Sequence, residues 1–349
     1  MVLDYIILGL YVIGMVAIAM YTKNRSKSVN DFLLAGKKGL NGWMSAFAYG
    51  TTYFSAVIFI GYAGKFGVQY QLAAVWIGIG NAIIGSLVAW MVLAKRTKNM
   101  TMRLSAKTMP EFFEKRYGSK NLKFVSAVII FLFLIPYSAS VYNGLSSLFE
   151  TVFGIPGWII MIALAVITAL YLFFGGYFAT ALSDFIQGII MLVGVILMVI
   201  FFLKSEQVSW DISTLNWFTF SSDKKGIYGD TISLLSLIFL TSFGVWALPQ
   251  TIHKYYAIRD NKAIIQGTVV STMFALIIGF GAYFIGGLSG LFPEVSGVHS
   301  DYIVPEMLNI VIPMGLMGVV AVLILSANDI KTSQHFSCRS HPFEGFGRD

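Results

Sequence analysis

The feature that most constrains this chain is a series of apolar runs about 20 residues long, the length a helix needs to cross the hydrocarbon core of a bilayer. Nine such runs fall at 3–21, 43–63, 72–94, 124–148, 157–174, 183–203, 231–252, 264–288 and 305–327. They are apolar throughout and do not alternate with period two, so they predict helices and not the strands of a barrel. Composition agrees: of 349 residues, 57% are hydrophobic and 12% charged, where a soluble domain carries about 25% charged residues. The expected class is an all-α integral membrane protein.

The positive charges decide the orientation. With the N-terminus outside, all but four of the 24 Lys and Arg fall in segments 22–42, 95–123, 253–263 and the tail; the exceptions are Lys65, Lys204, Lys224 and Lys225. Basic residues gather in cytoplasmic loops, so the expectation is a multi-pass protein of the cell (plasma or inner) membrane with its N-terminus outside and its tail cytoplasmic. The net charge of +7 then reads as topology and not as affinity for nucleic acid. Residues 1–4 lack a basic n-region, so the first run is expected to be retained. A single cysteine, Cys338, excludes an intrachain disulfide framework. His253-Lys254, at the edge of the seventh run, reads as an interfacial anchor.

Two runs carry interruptions. Tyr49-Gly50-Thr51-Thr52-Tyr53-Phe54-Ser55-Ala56 is a small, hydroxyl-rich stretch inside the second, and Ser242 to Gln250 places Gly244 and Pro249 inside the seventh. Gly lowers helix stability, and Pro removes a donor and clashes with the preceding turn. Unwound backbone is tolerated at membrane depth only where it lines a cavity or is buried in protein. Breaks five runs apart, in helices of opposite direction, are the sequence signature of a binding site between inverted repeats. Gly78, Ala82 and Gly85, and Gly279, Gly281, Gly286 and Gly287, read as positions of close helix packing, and Asn81 and Asn143 as interhelical hydrogen-bonding groups.

Four stretches carry a family resemblance: Asp31-Phe32-Leu33-Leu34-Ala35-Gly36-Lys37-Lys38 with Gly50 to Gly64; Pro136-Tyr137-Ser138-Ala139-Ser140; Gly175-Gly176 through Asp184-Phe185-Ile186-Gln187-Gly188; and Pro249-Gln250 with Tyr255 to Arg259. From Met1 to Ala327 the chain resembles the sodium:solute symporters, which include bacterial sodium/proline and sodium/galactose carriers. The resemblance implies a leucine-transporter-type fold, a leading helix followed by two inverted five-helix repeats. Residues 1–42 would then be the leading helix and its loop, 43–203 the first repeat and 231–327 part of the second. After Ala327 the family continues as a hydroxyl-rich helix, whereas this chain turns polar; residues 328–349 are expected to be an aberrant, frame-shifted tail, which would leave the chain an incomplete and inactive fragment.

The resemblance also implies site residues. Sodium would take carbonyl oxygens at Thr51, Phe54 and Ala327. The two hydroxyls that complete the site in the family fall at Ile330, which has no oxygen, and Lys331, whose charge repels the ion. Asp184 would assist a second sodium or line its exit, although a carboxylate at a helix start is also explained by the helix dipole. Substrate contacts are implied at Tyr53, Ser55, Tyr137, Trp246 and Gln250; Tyr53 stands where proline-type carriers have an Asp. For Tyr137 and Trp246, ordinary packing is the preferred reading.

The expected function is sodium-coupled symport of a small organic solute, with sodium as coupling ion, the bilayer as surroundings and no cofactor. The rival reading is a transport-deficient sensor or interaction module on the same fold. No nucleotide loop, zinc spacing or nucleophile motif points to an enzyme.

Overall fold

The structure, a computed structural model, describes residues 2–23, 39–209, 215, 217, 230–313 and 316–326. Hydrocarbon offers no partner for a bare N–H or C=O, so each crossing closes its own hydrogen bonds as a helix. Among the described residues the regular elements are helical, apart from one two-residue bridge between Leu40 and Ile258.

Helix α1 (Val2–Lys23) leads. After α2 (Gly42–Tyr53) the chain breaks, resumes as a π-helical segment at Val57–Tyr62 and continues as α3 (Ala63–Tyr70). A tight turn at Gln71–Ala74 precedes α4 (Val75–Gly80), π-helical stretches at Asn81–Val88 and Trp90–Ala94, and α5 (Lys95–Arg103). Next come α6 (Met109–Tyr117), α7 (Lys120–Phe153) and α8 (Gly157–Lys204). The pair α9 (Asp230–Trp246) and α10 (Pro249–Tyr256) is bent by 50° at its junction. Finally come α11 (Asn261–Gly287), α12 (Ser300–Val311) and α13 (Met317–Ser326).

The core forms around α11. Going along it, Gly42 faces Ala263 and Gln266, Gly50 faces Phe274, Phe54 faces Gly279, and Gly67 faces Gly286. The contacts then run backwards: Gln71 meets Gly287, Gly78 meets Gly279, Ser86 meets Ser271, and Trp90 meets Gly267. The chain therefore reverses at Gln71, a non-glycine residue at φ +51°. Residues 57–103, helical for 47 residues, hold the end of one crossing and the whole of the next; straight, they would span about 70 Å, more than twice the hydrocarbon core.

Helix α8 behaves in the same way. Gly157 lies against Ser146 and Glu150, and Glu150 meets Tyr302 at the end of the bundle where Gly64 meets Ser300. Tyr177 lies beside His253, toward the opposite end. Phe202, packed on Phe292, has returned to the first end. Two crossings were expected there, 157–174 and 183–203, and both fall within the range of α8: Gly157–Ile167 and Tyr177–Lys204 are its apolar parts.

The ninth run departs further. A single helix over 305–327 is replaced by α12 and α13. Ile312 is extended, at φ −86° and ψ 125°, because Pro313 follows it; a proline excludes the helical conformation from the residue before it. Five helices and the bent pair have the length and apolarity of a crossing among the described residues, so the protein is a multi-pass membrane protein. The tail, residues 328–349, lies outside the described residues.

Candidate ion and substrate site

Helix α2 stops because Phe54 leaves the helical region, at φ −94° and ψ 73°, after its N–H has bonded to Gly50 O. A helix that stops leaves its last four carbonyls without intrahelical partners. Those of Thr51, Thr52, Tyr53 and Phe54 accept no hydrogen bond among the described residues, and all four residues are buried. Thr51 Oγ1 donates back to Phe47 O at 2.9 Å, which turns its hydroxyl away from the break. Ser55, also buried, caps the resumed helix by accepting from the N–H groups of Ile58 and Phe59. The break thus places several oxygen dipoles, without a net charge, inside the bundle.

The second break falls at Ala247-Leu248. Leu248 is extended, Pro249 takes the first helical position of α10, and the Leu248 carbonyl accepts from Thr251 and Ile252 N–H at 3.0 Å each. Gln250 follows, fully buried, with neither its amide oxygen nor its nitrogen bonded among the described residues. Buried polar groups are bonded in the great majority of proteins, so a naked amide beside a helix break marks a place for a ligand or water. The Trp246 indole N–H donates to Ile84 O at 3.1 Å, while its ring packs on Phe243.

The two breaks are joined through the third crossing. Tyr53 lies so close to Gly85 that a Cβ there would fall 2.0 Å from its hydroxyl, and that hydroxyl donates to Thr241 O at 3.4 Å. Asn81 Oδ1 lies 2.8 Å from the Thr241 hydroxyl and 3.0 Å from that of Ser242. Its amide nitrogen is buried without a partner among the described residues. Asn81 therefore makes the expected interhelical hydrogen bonds and also lines the seam between the breaks. Tyr49, Trp90 and Tyr255 cluster at 5.2–5.8 Å, Tyr49 and Tyr255 stacked and Trp90 edge-on to both.

The other expected residues sit apart. Tyr137 is half-buried on α7 at the rim of the main core, one residue after Pro136. Ala327 lies outside the described residues; Ser326 before it bonds Val322 O at 2.7 Å and touches the Tyr11 hydroxyl. Asp184 is buried in α8, and its carboxylate meets the Lys254 ammonium at 3.1 Å. Lys254 and His253 are thus no edge anchors: both are buried, Lys254 with its ammonium 5.7 Å from the Tyr177 ring. Nothing local in the sequence announced this pair, whose members stand 70 residues apart.

A pair of broken helices facing each other through a third crossing defines a secondary-transporter fold. The chain belongs to the sodium:solute symporter family, whose profile matches residues 32–330. It is 28% identical over 311 residues to the osmoregulated proline transporter OpuE of Bacillus subtilis, covering 87% of this chain and 61% of that protein. It is also 28% identical over 318 residues to the sodium/proline symporter of Staphylococcus aureus, covering 88% and 60%. The chain thus spans about three fifths of the length of these relatives. Among solved structures it is similar to a sodium-coupled sialic acid symporter in a substrate-bound, outward-open state, with a TM-score of 0.81 at 16% identity over 99% of this chain and 76% of that one. That likeness establishes the leucine-transporter-type fold.

Proposed function

We propose that the protein works as a sodium-coupled symporter of a small organic solute, by alternating access at the paired breaks. The observation that carries this is the set of unbonded carbonyls at Thr51 to Phe54. Sodium is a hard cation that unwound carbonyls can hold, as in other transporters with broken helices. Thr51 and Phe54 supply two ligands in this reading and Ala327 a third, with Asp184 an accessory carboxylate. Tyr53, Ser55, Trp246 and the bare amide of Gln250 bound the solute pocket, with Tyr137 at its margin.

Energetics allow the coupling. One sodium falling through ~100 mV releases about 2.3 kcal/mol, and a tenfold gradient adds about 1.4 kcal/mol. Together these support accumulation of several hundredfold per ion. The relatives are named as proline carriers, which makes small zwitterionic amino acids the first solutes to try. The orientation, with the end bearing Lys95, Arg96, Lys98, Arg259 and Lys262 in the cytoplasm, rests on the positive-inside rule.

The test is uptake of labelled proline and a panel of amino acids, sugars and carboxylates by the protein in proteoliposomes. An inward sodium gradient should drive accumulation that potassium does not. Equal uptake in both salts would overturn the proposal.

A further inference from the structure

Asp184 and Lys254 are the buried charged pair among the described residues, with side chains 6% and 0% exposed and 3.1 Å between them. Buried carboxylates persist where a cation or several donors answer them. Here that cation is built into the chain, on α10, which packs against α2 and α5. Lys254 lies in the last turn of α10, which hangs from α9 across the 50° break. Asp184 lies in α8, which packs against α1, α2 and α13. The surroundings suit an ammonium: the Tyr177 ring lies over its nitrogen, and the His253 ring stands edge-on to Tyr177 at 5.0 Å. On the other side of the carboxylate, one turn along α8, Gln187 donates to the Tyr11 hydroxyl, while the Ser183 hydroxyl meets Met15 Sδ. These groups are neutral, so Lys254 is the cation that faces the carboxylate among the described residues.

We propose that Lys254 is a tethered cation for Asp184: with α10 docked its ammonium fills the carboxylate and excludes sodium, and with α10 swung away the carboxylate opens to the ion. The inference deepens the symport reading and rests on it for the identity of the competing ion. It makes sodium at Asp184 and a docked α10 mutually exclusive. An ion arriving there holds α10 off, and an ion leaving lets the lysine return.

The experiment is binding of radioactive sodium to the purified 349-residue chain in lipid nanodiscs, compared with Lys254→Gln and with Lys254→Gln/Asp184→Asn. The single variant should bind sodium about tenfold more tightly than the parent, a change of about 1.4 kcal/mol, and the double variant should lose that gain. Equal binding by parent and single variant, or a gain that survives loss of the carboxylate, overturns the proposal. Should Lys254→Gln fail to fold, the parent itself provides a second measurement. Amine acylation of Lys254, quantified by mass spectrometry, should rise severalfold in sodium over potassium; a rate indifferent to sodium overturns the proposal equally. Neither readout requires uptake, so failure of the symport reading in proteoliposomes leaves this result independent.

Discussion

Gly67 of α3 and Gly286 of α11 meet backbone to backbone: a Cβ placed on Gly67 would fall 2.0 Å from the Gly286 carbonyl oxygen. A Cβ on Gly286 would in turn fall 2.0 Å from the carbonyl of Ala63. Lipid gives helices no hydrophobic reason to associate, so close packing of this kind holds the bundle. Gly67→Val should force the two helices apart and lower stability by about 1–3 kcal/mol, the usual range for overpacking. Thermal unfolding in detergent, followed by size-exclusion chromatography, checks it; Gly9→Val, at a glycine with nothing within 4 Å, is the control that should change little.

Breaking the buried ion pair from one side should be far worse than removing it. Asp184→Asn strands an ammonium with 0% exposure, and such one-sided removals cost about 3–5 kcal/mol. Asp184→Asn/Lys254→Met, which removes both charges, should recover most of that loss. Denaturation of the four-member cycle in nanodiscs measures the coupling; additive single effects would mean that the pair does not interact.

Gln250 offers a test in the opposite direction. Its amide is buried and unbonded among the described residues, and an unsatisfied buried polar group costs about 1–3 kcal/mol. Gln250→Met should therefore raise the melting temperature of the solute-free protein while weakening solute binding. A variant that melts earlier in the absence of solute would show that the amide is bonded within the fold.

Asp260 caps α11: its carboxylate accepts from Ala263 N–H at 2.7 Å and meets Arg259 Nε at 2.8 Å. The backbone bond first, then Arg259, hold its carboxyl below the ordinary carboxylate value. A depressed acid stabilises the fold above its unfolded value, and that contribution disappears as pH falls through the lower folded value. Asp260→Asn should retain capping and lose this dependence, so the melting temperatures of parent and variant should converge as the pH is lowered below about 4. Parallel curves at every pH would argue against the cap.

Much of this architecture is legible in the sequence because bilayer crossings demand composition and length, both local properties. The breaks are partly legible for the same reason: Pro249 adjoins the second and the hydroxyl-rich stretch 49–56 contains the first, although Gly50 and Gly244 themselves stay helical. The interruption at Ile312 had its own local sign in Pro313, but the apolar length of 305–327 outweighed it. Partners brought together by tertiary packing left no such trace. Lys254 looked like an interfacial lysine because it follows the last apolar residues of its run, and the packing of α10 on α2 and α5, with Asp184 of α8 against its ammonium, buries it. Likewise Asn81 showed its polarity in sequence, but not that Thr241 and Ser242 would answer it.

The bridge between Leu40 and Ile258 has a mechanical consequence. Leu40 N–H donates to Ala257 O at 2.8 Å and Arg259 N–H to Leu40 O at 2.9 Å, while the Lys98 ammonium holds Ile258 O. Gly39, at φ +61°, permits the approach, since a Cβ there would meet Ala257 O at 2.9 Å. The foot of α2 and the foot of α10 are therefore joined by backbone hydrogen bonds, so a tilt of either half-helix pulls on the other. The two breaks work as knees on a common ankle, which makes bending at one a load felt at the other.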